Sequence, residues 1–248
     1  MTVILNTWIF ENDVKNGVKQ DELIDRVSKL DVDGIEVRRE YFKDLAVELP
    51  IIAKKAMQYK LLINYSVPDQ VFLDDGGLNP KLAMYFEEGL IMGIKKIKFN
   101  IGNFAAFTGD LKQAFSALPL DKITMNVEND QTELSGSVKA LVTFLESAKQ
   151  HDIPVGYVYD LGNWAFTKQD ALKSADSLSQ YTDYIHLKNV INNDGNLVTS
   201  ANLDEGMFNW RVILKHLPKN VAFALEFPMD NKDLIQSQIT LLKKEIEE

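Results

Sequence analysis

The sequence contains no cysteine. Disulfide bonds, zinc–thiolate sites and thiol nucleophiles are therefore all excluded. Histidine is scarce as well, with three in 248 residues, which disfavours any site built from many imidazole ligands. The lack of cysteine is compatible with a reducing compartment, and we expect a cytoplasmic protein.

Basic stripes and long apolar runs are missing too. The formal net charge is −9, and the short lysine runs are mixed with apolar or acidic residues. Because an acidic surface repels a phosphate backbone, we expect no nucleic-acid partner. No apolar run reaches the length of a membrane span, and the first ten residues lack the basic segment of a signal peptide. We therefore expect no membrane partner either.

What the chain does contain is a repeated pattern of strand-like and helix-like segments. Strand-like segments recur about every thirty residues, the spacing that βα units require. Helix-like stretches at 21–30, 79–93, 136–150, 170–180 and 209–218 lie between them. The pattern predicts an α/β fold, a (β/α)₈ TIM barrel forming one domain over residues 1–248. The eight predicted strands begin at Val3, Gly34, Leu61, Ile94, Ile123, Val155, Asp183 and Val221.

An open, doubly wound sheet is the rival fold. That fold usually carries a glycine-rich phosphate loop after its first strand. Here the first strand leads into "NTWIFEND", which has neither G-x-G-x-x-G nor a Walker motif. The barrel is therefore the better prediction.

Ionisable residues mark the ends of the predicted strands. Side chains along a barrel strand alternate between the interior and the helix layer. On that alternation, six strands place ionisable side chains on the interior face near their C-terminal ends, where barrel enzymes have their active sites. The residues are Glu36, Arg38, Lys98, Glu128, Asp160, His186, Lys188 and Glu226.

Four of these residues come from four consecutive strands: Glu128, Asp160, His186 and Glu226. A buried charge without a partner costs several kcal/mol, so such groups usually bind an ion or one another. Three carboxylates and one imidazole suit a divalent cation such as Mn²⁺, Mg²⁺ or Co²⁺. The pattern therefore predicts a metal site at this end of the barrel.

The sequence resembles the xylose isomerase-like TIM barrels, a family of sugar phosphate isomerases and epimerases related to ketose 3-epimerases and inosose dehydratases. The resemblance covers nearly the whole chain and rests on "NVENDQT", "YDLGNW", "IHLKN" and "ALEFP". It implies one divalent metal ion, with Mn²⁺ expected first and Mg²⁺, Co²⁺ or Zn²⁺ after it. By position, Glu128, Asp160, His186 and Glu226 resemble the metal ligands, and Glu128 and Glu226 also resemble the catalytic pair.

Two positions depart from the family pattern. Ketose 3-epimerases commonly have a histidine three residues after the aspartate of the sixth strand, where this chain has Asn163. The motif of the seventh strand often reads His-x-Lys-Asp, and here it ends in Asn189. The resemblance therefore supports the metal site more strongly than it supports any particular sugar.

The reaction that we expect is proton transfer next to a ketose carbonyl, through a metal-stabilised enediolate, with glutamates as acid and base. The substrate is expected to be a small sugar or sugar derivative. Lysines on the inner face would bind it or stabilise oxyanion charge, and aromatic residues after the strands, Trp8, Phe10, Phe104 and Trp164, would wall the pocket. The predicted substrate-binding residues are Lys98, Lys188, Asn163, Trp8, Glu36 and Arg38.

Other functions remain open from the sequence. A metal-dependent dehydratase of a keto-inositol or dehydroshikimate-like substrate would use the same first proton abstraction. A sugar-binding barrel without catalysis would keep the fold and lose the metal. An endonuclease-IV-like DNA repair enzyme is disfavoured by the three histidines and the charge of −9. A homo-oligomeric assembly is also left open.

Overall fold

Eight parallel strands close into a barrel in the computed structural model, which describes residues 1–229 and 231–247. They are β1 (Thr2–Asn6), β2 (Gly34–Arg38), β3 (Leu62–Phe72), β4 (Lys96–Gly102), β5 (Thr124–Glu128), β6 (Val155–Asp160), β7 (Thr182–Leu187) and β10 (Ala222–Leu225). A short antiparallel hairpin, β8 (Val190–Asn193) and β9 (Asn196–Thr199), follows β7. The strand order β1-β10-β7-β6-β5-β4-β3-β2 joins the first barrel strand to the last. The predicted (β/α)₈ barrel is confirmed.

Helices alternate with the strands. They are α1 (Glu11–Lys15), α2 (Gln20–Val27), α3 (Leu45–Tyr59), α4 (Leu82–Met92), α5 (Leu111–Phe115), α6 (Glu133–Gly136), α7 (Val138–Gln150), α8 (Asn163–Thr167), α9 (Ala171–Leu178), α10 (Trp210–Leu214) and α11 (Lys232–Glu247). Four short 3₁₀ turns lie at 7–10, 39–41, 104–106 and 179–181 in the described part of the chain. Among the described residues, no helix combines the length and the apolar character needed to cross a bilayer.

The sequence pattern did not predict α3 and α11. Pro50 lies inside α3, and a proline within a helical pattern usually indicates a break. The helix begins after Asp44, whose side chain accepts a hydrogen bond from the backbone N–H of Val47, so the start is an ordinary N-cap. Tertiary packing of the buried residues Leu49 and Ile52 then offsets the proline.

The main hydrophobic core fills the space between the barrel and its helices. A second, smaller apolar cluster lies inside the barrel and consists of Ile4, Val158, Tyr184 and Ala224. Each of these residues precedes by two positions a polar residue on the same strand face: Asn6, Asp160, His186 and Glu226. Because side chains alternate with period two, an apolar layer lies directly below a polar layer.

An aromatic cluster anchors the extended ends of β3 and β4. The Phe72 ring lies 5.0 to 6.2 Å from the rings of Phe104, Phe107, Phe115 and Phe144, measured between centroids. Phe72 itself is fully buried. Packing at the end of these two strands therefore depends on this one side chain.

Replacing Phe72 with alanine is expected to lower the free energy of unfolding by about 3–5 kcal/mol, because truncating a buried phenylalanine leaves a cavity. Urea denaturation monitored by circular dichroism measures the change. Leu73→Ala is the matched control at the next position, where the residue is 37% exposed. Equal losses in the two variants would contradict the assigned role of Phe72.

Candidate metal and acid–base site

The structure brings together the four predicted ligands at the C-terminal end of the barrel. Glu128 ends β5, Asp160 ends β6, His186 lies in β7, and Glu226 directly follows β10. All four are buried, and one ligand atom from each lies within 4.8 Å of the others. Parallel pairing of β6 with β7 sets Asp160 beside His186. The proximity of Asp160 and His186 therefore follows from the register of the strands.

His186 lies at the centre of this group. Its Nδ1 is 3.2 Å from Glu128 Oε1 and 3.1 Å from Glu226 Oε2. The ring of Tyr184 packs edge-on against the imidazole, at 4.6 Å between centroids and 88° between planes. Two carboxylates thus face the same nitrogen of the imidazole, above the apolar layer.

Two lysines reach into the same cluster. Lys98 Nζ lies 2.6 Å from Glu128 Oε2 and 3.5 Å from Glu226 Oε1. Lys188 Nζ lies 2.5 Å from Asp160 Oδ2 and 3.2 Å from Glu226 Oε2. Buried carboxylates are tolerated only with such partners. The lysines therefore supply positive charge that partly offsets the cost of burying these acids inside the barrel.

The surroundings separate the pKa values of the acids. Burial is the largest single effect on the Glu128 carboxyl and would raise its pKa, but the Lys98 ammonium and His186 together lower that pKa to about 2. Burial would likewise raise the pKa of Glu226, and Lys188 and Lys98 hold it well below its usual value. For Asp160, burial prevails over Lys188 and raises the pKa to about 7. The cluster thus combines two strongly ionised carboxylates with one that titrates near neutrality.

The donor atoms fit a divalent cation. Glu128 Oε1 is buried without a hydrogen-bond partner in the described part of the chain, and it lies 3.2 Å from His186 Nδ1. A carboxylate oxygen and an imidazole nitrogen that face each other are both satisfied by a cation between them. Three carboxylates with one imidazole suit Mn²⁺, Mg²⁺, Co²⁺ or Zn²⁺. Binding would require Lys98 and Lys188 to yield part of their contact with the acids.

A cavity of about 410 Å³ opens above the cluster. It is lined by Trp8, Arg38, Ser66, Val67, Pro68, Lys98, Phe99, Asn100, Glu128, Asp130, Gln131, Thr132, Asn163, Lys188 and Glu226. Five of the six predicted substrate-binding residues therefore line a single cavity, together with both predicted catalytic glutamates.

Arg38 and Trp8 form one wall of this cavity. Arg38 donates to Glu226 Oε1 at 2.9 Å and to Glu40 Oε1 at 2.7 Å. Its guanidinium lies 5.7 Å from the centre of the Trp8 ring, and Lys188 Nζ lies 5.4 Å from the same centre. Such cation–π contacts hold the indole in place. Trp8 is thus a fixed aromatic surface beside the cluster.

Glu36 is the sixth predicted substrate-binding residue, and it lies elsewhere. Its side chain is 1% exposed and accepts a hydrogen bond from Asn6 Nδ2 at 2.6 Å. Its Oε2 is 3.4 Å from His186 Nε2. Glu36 is therefore below the cavity, and this geometry does not support direct contact with a substrate.

Three predicted wall residues also lie elsewhere. Phe10 and Trp164 are buried in the hydrophobic core, and Phe104 packs against that core beside Phe72. Trp164 is the second residue of the short helix α8, and its indole packs on Tyr159 at 5.8 Å between ring centroids. A position after a strand does not show which way the following turn directs the side chain.

Two asparagines that the sequence pattern did not indicate also form hydrogen bonds within the site. Asn6 donates to both Glu36 and Glu226, at 2.6 and 2.9 Å. Asn129 accepts from Tyr157 and from the backbone N–H of Asp160. Asn6 lies on the same face of β1 as Ile4, so the alternation rule would have found it if neutral side chains had been considered.

Comparisons with known proteins agree on the fold. No protein-family model and no curated protein matches the chain. Its structural neighbours are xylose isomerase-like TIM barrel proteins. A probable 3-DHS dehydratase, AsbF of Bacillus anthracis, has a TM-score of 0.71 and 15% identity, covering 98% of this chain and 99% of its own.

Two more neighbours are similar to the same degree. A D-allulose 3-epimerase from Methylomonas sp., in complex with D-allulose, has a TM-score of 0.72 and 12% identity, covering 99% of this chain and 97% of its own. A xylose isomerase domain containing protein from Salmonella typhimurium LT2 has a TM-score of 0.71, with 12% identity and the same coverage. At these identities the likeness establishes the fold.

The pKa of Glu128 gives a test by pH. A carboxyl whose pKa is lowered on folding stabilises the protein above its unfolded pKa and loses that contribution as the pH falls towards 2. Wild type should therefore lose on the order of 3 kcal/mol of its stability relative to Glu128→Gln between pH 7 and the acid limit. Denaturation at a series of pH values measures the difference.

The control is the same comparison in a Lys98→Met background. Because Lys98 lowers the Glu128 pKa more than any other group does, with His186 contributing as well, the stability that wild type loses in acid relative to Glu128→Gln should shrink in that background. A difference between wild type and Glu128→Gln that stays constant from pH 7 to pH 3 would refute the assigned electrostatics.

Proposed function

We propose that the protein is a divalent-metal-dependent sugar isomerase or epimerase that moves a proton next to a ketose carbonyl. The observation that carries this proposal is the cluster of Glu128, Asp160, His186 and Glu226, whose ligand atoms converge within 4.8 Å beneath a cavity. The four residues are the proposed metal ligands. A cation bound there would polarise the carbonyl and stabilise the negative charge that develops when the proton leaves.

Glu128 and Glu226 are the proposed acid and base. Both line the cavity and both are held ionised by neighbouring cations. A carboxylate with so low a pKa is a weak base while Lys98 is 2.6 Å away. A substrate oxygen that draws the Lys98 ammonium from Glu128 would raise the basicity of that carboxylate when the substrate is in place.

The charges around the cavity favour an uncharged substrate. Arg38, Lys98 and Lys188 line the cavity, and each already pairs with a carboxylate. A phosphate or carboxylate group on the substrate would have to compete with those acids. The other polar side chains at the wall suit the hydroxyl groups of a sugar, and they include Ser66, Asn100, Gln131, Thr132 and Asn163.

A metal-dependent dehydratase is the second candidate function. It is favoured by the structural similarity to a probable 3-DHS dehydratase along 98% of this chain. The first step would again be proton abstraction beside a carbonyl, followed by loss of a hydroxyl group. Release of water and a new conjugated absorbance in the product would select this reading. A sugar-binding barrel without catalysis is the outcome if no substrate turns over.

The proposal also covers the oligomeric state of the protein. We infer that copies of this chain associate, because the outer faces of α3 and α4 expose large apolar side chains, and such patches commonly mark contact surfaces. Sedimentation equilibrium measures the mass in solution. The exposed apolar residues on these two helices are Val47, Ile51, Met57, Met84, Leu90 and Ile91.

Two further expectations remain predictions: that residues 1–248 form one domain and that the protein is cytoplasmic.

A screen of ketoses and keto-inositols with added Mn²⁺, Co²⁺ or Mg²⁺ tests the activity. In D₂O, deuterium should enter the product at the carbon next to the carbonyl. Glu128→Gln is expected to lower the rate by roughly 10²- to 10⁴-fold, the usual contribution of a general acid or base. Glu133→Gln, exposed at the start of α6, is the control. An undiminished rate in Glu128→Gln would show that the base is misassigned.

Metal binding is tested by thermal unfolding after chelation. Adding Mn²⁺ to EDTA-treated protein should raise Tm, since a ligand at about 100 times its Kd stabilises the folded state by about 2.7 kcal/mol. His186→Ala should abolish the rise. His216→Ala is the matched control, because that imidazole is exposed and pairs with Asp176. A Tm that does not respond to Mn²⁺ would argue for the binding barrel.

A further inference from the structure

We propose that Glu36 is the positioning residue that orients His186 and fixes which of its nitrogens faces the metal. This inference rests on the proposed metal site and deepens it. Glu36 lies outside the four-residue cluster and below the cavity. Its role would be exerted entirely through the imidazole that it faces.

The two nitrogens of His186 face different groups. Nδ1 is directed at Glu128 and Glu226, at 3.2 and 3.1 Å. Nε2 is on the other side of the ring, 3.4 Å from Glu36 Oε2, and it is buried without a hydrogen-bond partner in the described part of the chain. Because His186 is fully buried, Glu36 is the charged acceptor in reach of that nitrogen.

Glu36 is itself held in place. Its Oε1 accepts from Asn6 Nδ2 at 2.6 Å, and the same amide donates to Glu226 Oε1 at 2.9 Å. The parallel register of β1 and β2 sets Asn6 beside Glu36. Asn6 Oδ1 accepts the backbone N–H of Trp8 at 2.8 Å, which fixes which way the amide points. Oε2 of Glu36 is therefore left to face His186.

A carboxylate at this position determines the tautomer. A proton on Nε2, directed at Glu36, leaves the lone pair of Nδ1 for a cation on the side of Glu128 and Glu226. Metal-bound histidines commonly donate their second N–H to a carboxylate, and loss of such a partner typically weakens metal binding by roughly 10- to 100-fold. Tyr184, edge-on to the imidazole, restricts the ring from turning over.

The affinity for Mn²⁺ alone, measured by calorimetric titration, is the first test. Glu36→Leu is expected to bind Mn²⁺ roughly 10- to 100-fold more weakly than wild type. Glu36→Gln should recover part of the affinity, because its amide oxygen still accepts the Nε2 proton. Glu48→Gln is the matched control: Glu48 is equally buried but accepts the backbone N–H groups of Lys43 and Asp44, and its affinity should be unchanged.

The second test reads the tautomer directly in wild type. The chain has three histidines, so ¹⁵N spectra of the imidazoles can be assigned with His151→Gln and His216→Gln. In protein saturated with diamagnetic Mg²⁺, His186 should carry its proton on Nε2. A proton on Nδ1 in this measurement would refute the proposal even if both Glu36 variants fail to fold.

Distinct results would overturn the two proposals. A proton on Nδ1 of His186, or wild-type affinity for Mn²⁺ in Glu36→Leu, refutes the positioning role while leaving the metal site intact. Wild-type protein that binds neither Mn²⁺ nor Mg²⁺ refutes the metal site itself, and the role of Glu36 falls with it.

Discussion

The two-residue period of the barrel strands is the constraint on which the site depends. Parallel pairing sets neighbouring strands in register, so one layer of inward side chains comes from Ile4, Val158, Tyr184 and Ala224. The next layer, two residues further along the same strands, brings Asn6, Asp160, His186 and Glu226 together. A register shift of one residue on any strand would exchange its polar and apolar faces. The apolar layer therefore specifies where the charged layer forms.

Concentrating acids inside a barrel requires compensation. The four carboxylates, Glu36, Glu128, Asp160 and Glu226, lie beside an imidazole and the cations Arg38, Lys98 and Lys188. Removing one partner from such a network leaves the other buried charge unpaired. This destabilises the protein more than replacing both partners with apolar residues would. The same network also opposes binding, because an incoming cation or substrate must replace contacts that the lysines now make with the carboxylates.

The sequence pattern was sufficient for the barrel and for the residues at its strand ends, because both follow from short-range periodicity. How deep a side chain lies inside the barrel could not be predicted from that periodicity. Glu36 and Arg38 share a face of β2, yet Arg38 lines the cavity and Glu36 lies beneath it. Depth depends on the tilt and stagger of all strands together. Trp164 shows a second limit, since its direction is set by packing of α8 on Tyr159.

Asn189 shows why a substrate does not follow from the resemblance. Its Nδ2 donates to the carbonyl oxygens of Leu203 and Phe208, and its Oδ1 accepts the backbone N–H groups of Val190 and Phe208. An aspartate could not donate to those carbonyls, so the amide is what this loop requires. Asn189 thus joins the hairpin to the segment beyond it. The identity of residue 189 therefore follows from how this loop is held together, whereas the acid cluster follows from the register of the barrel strands.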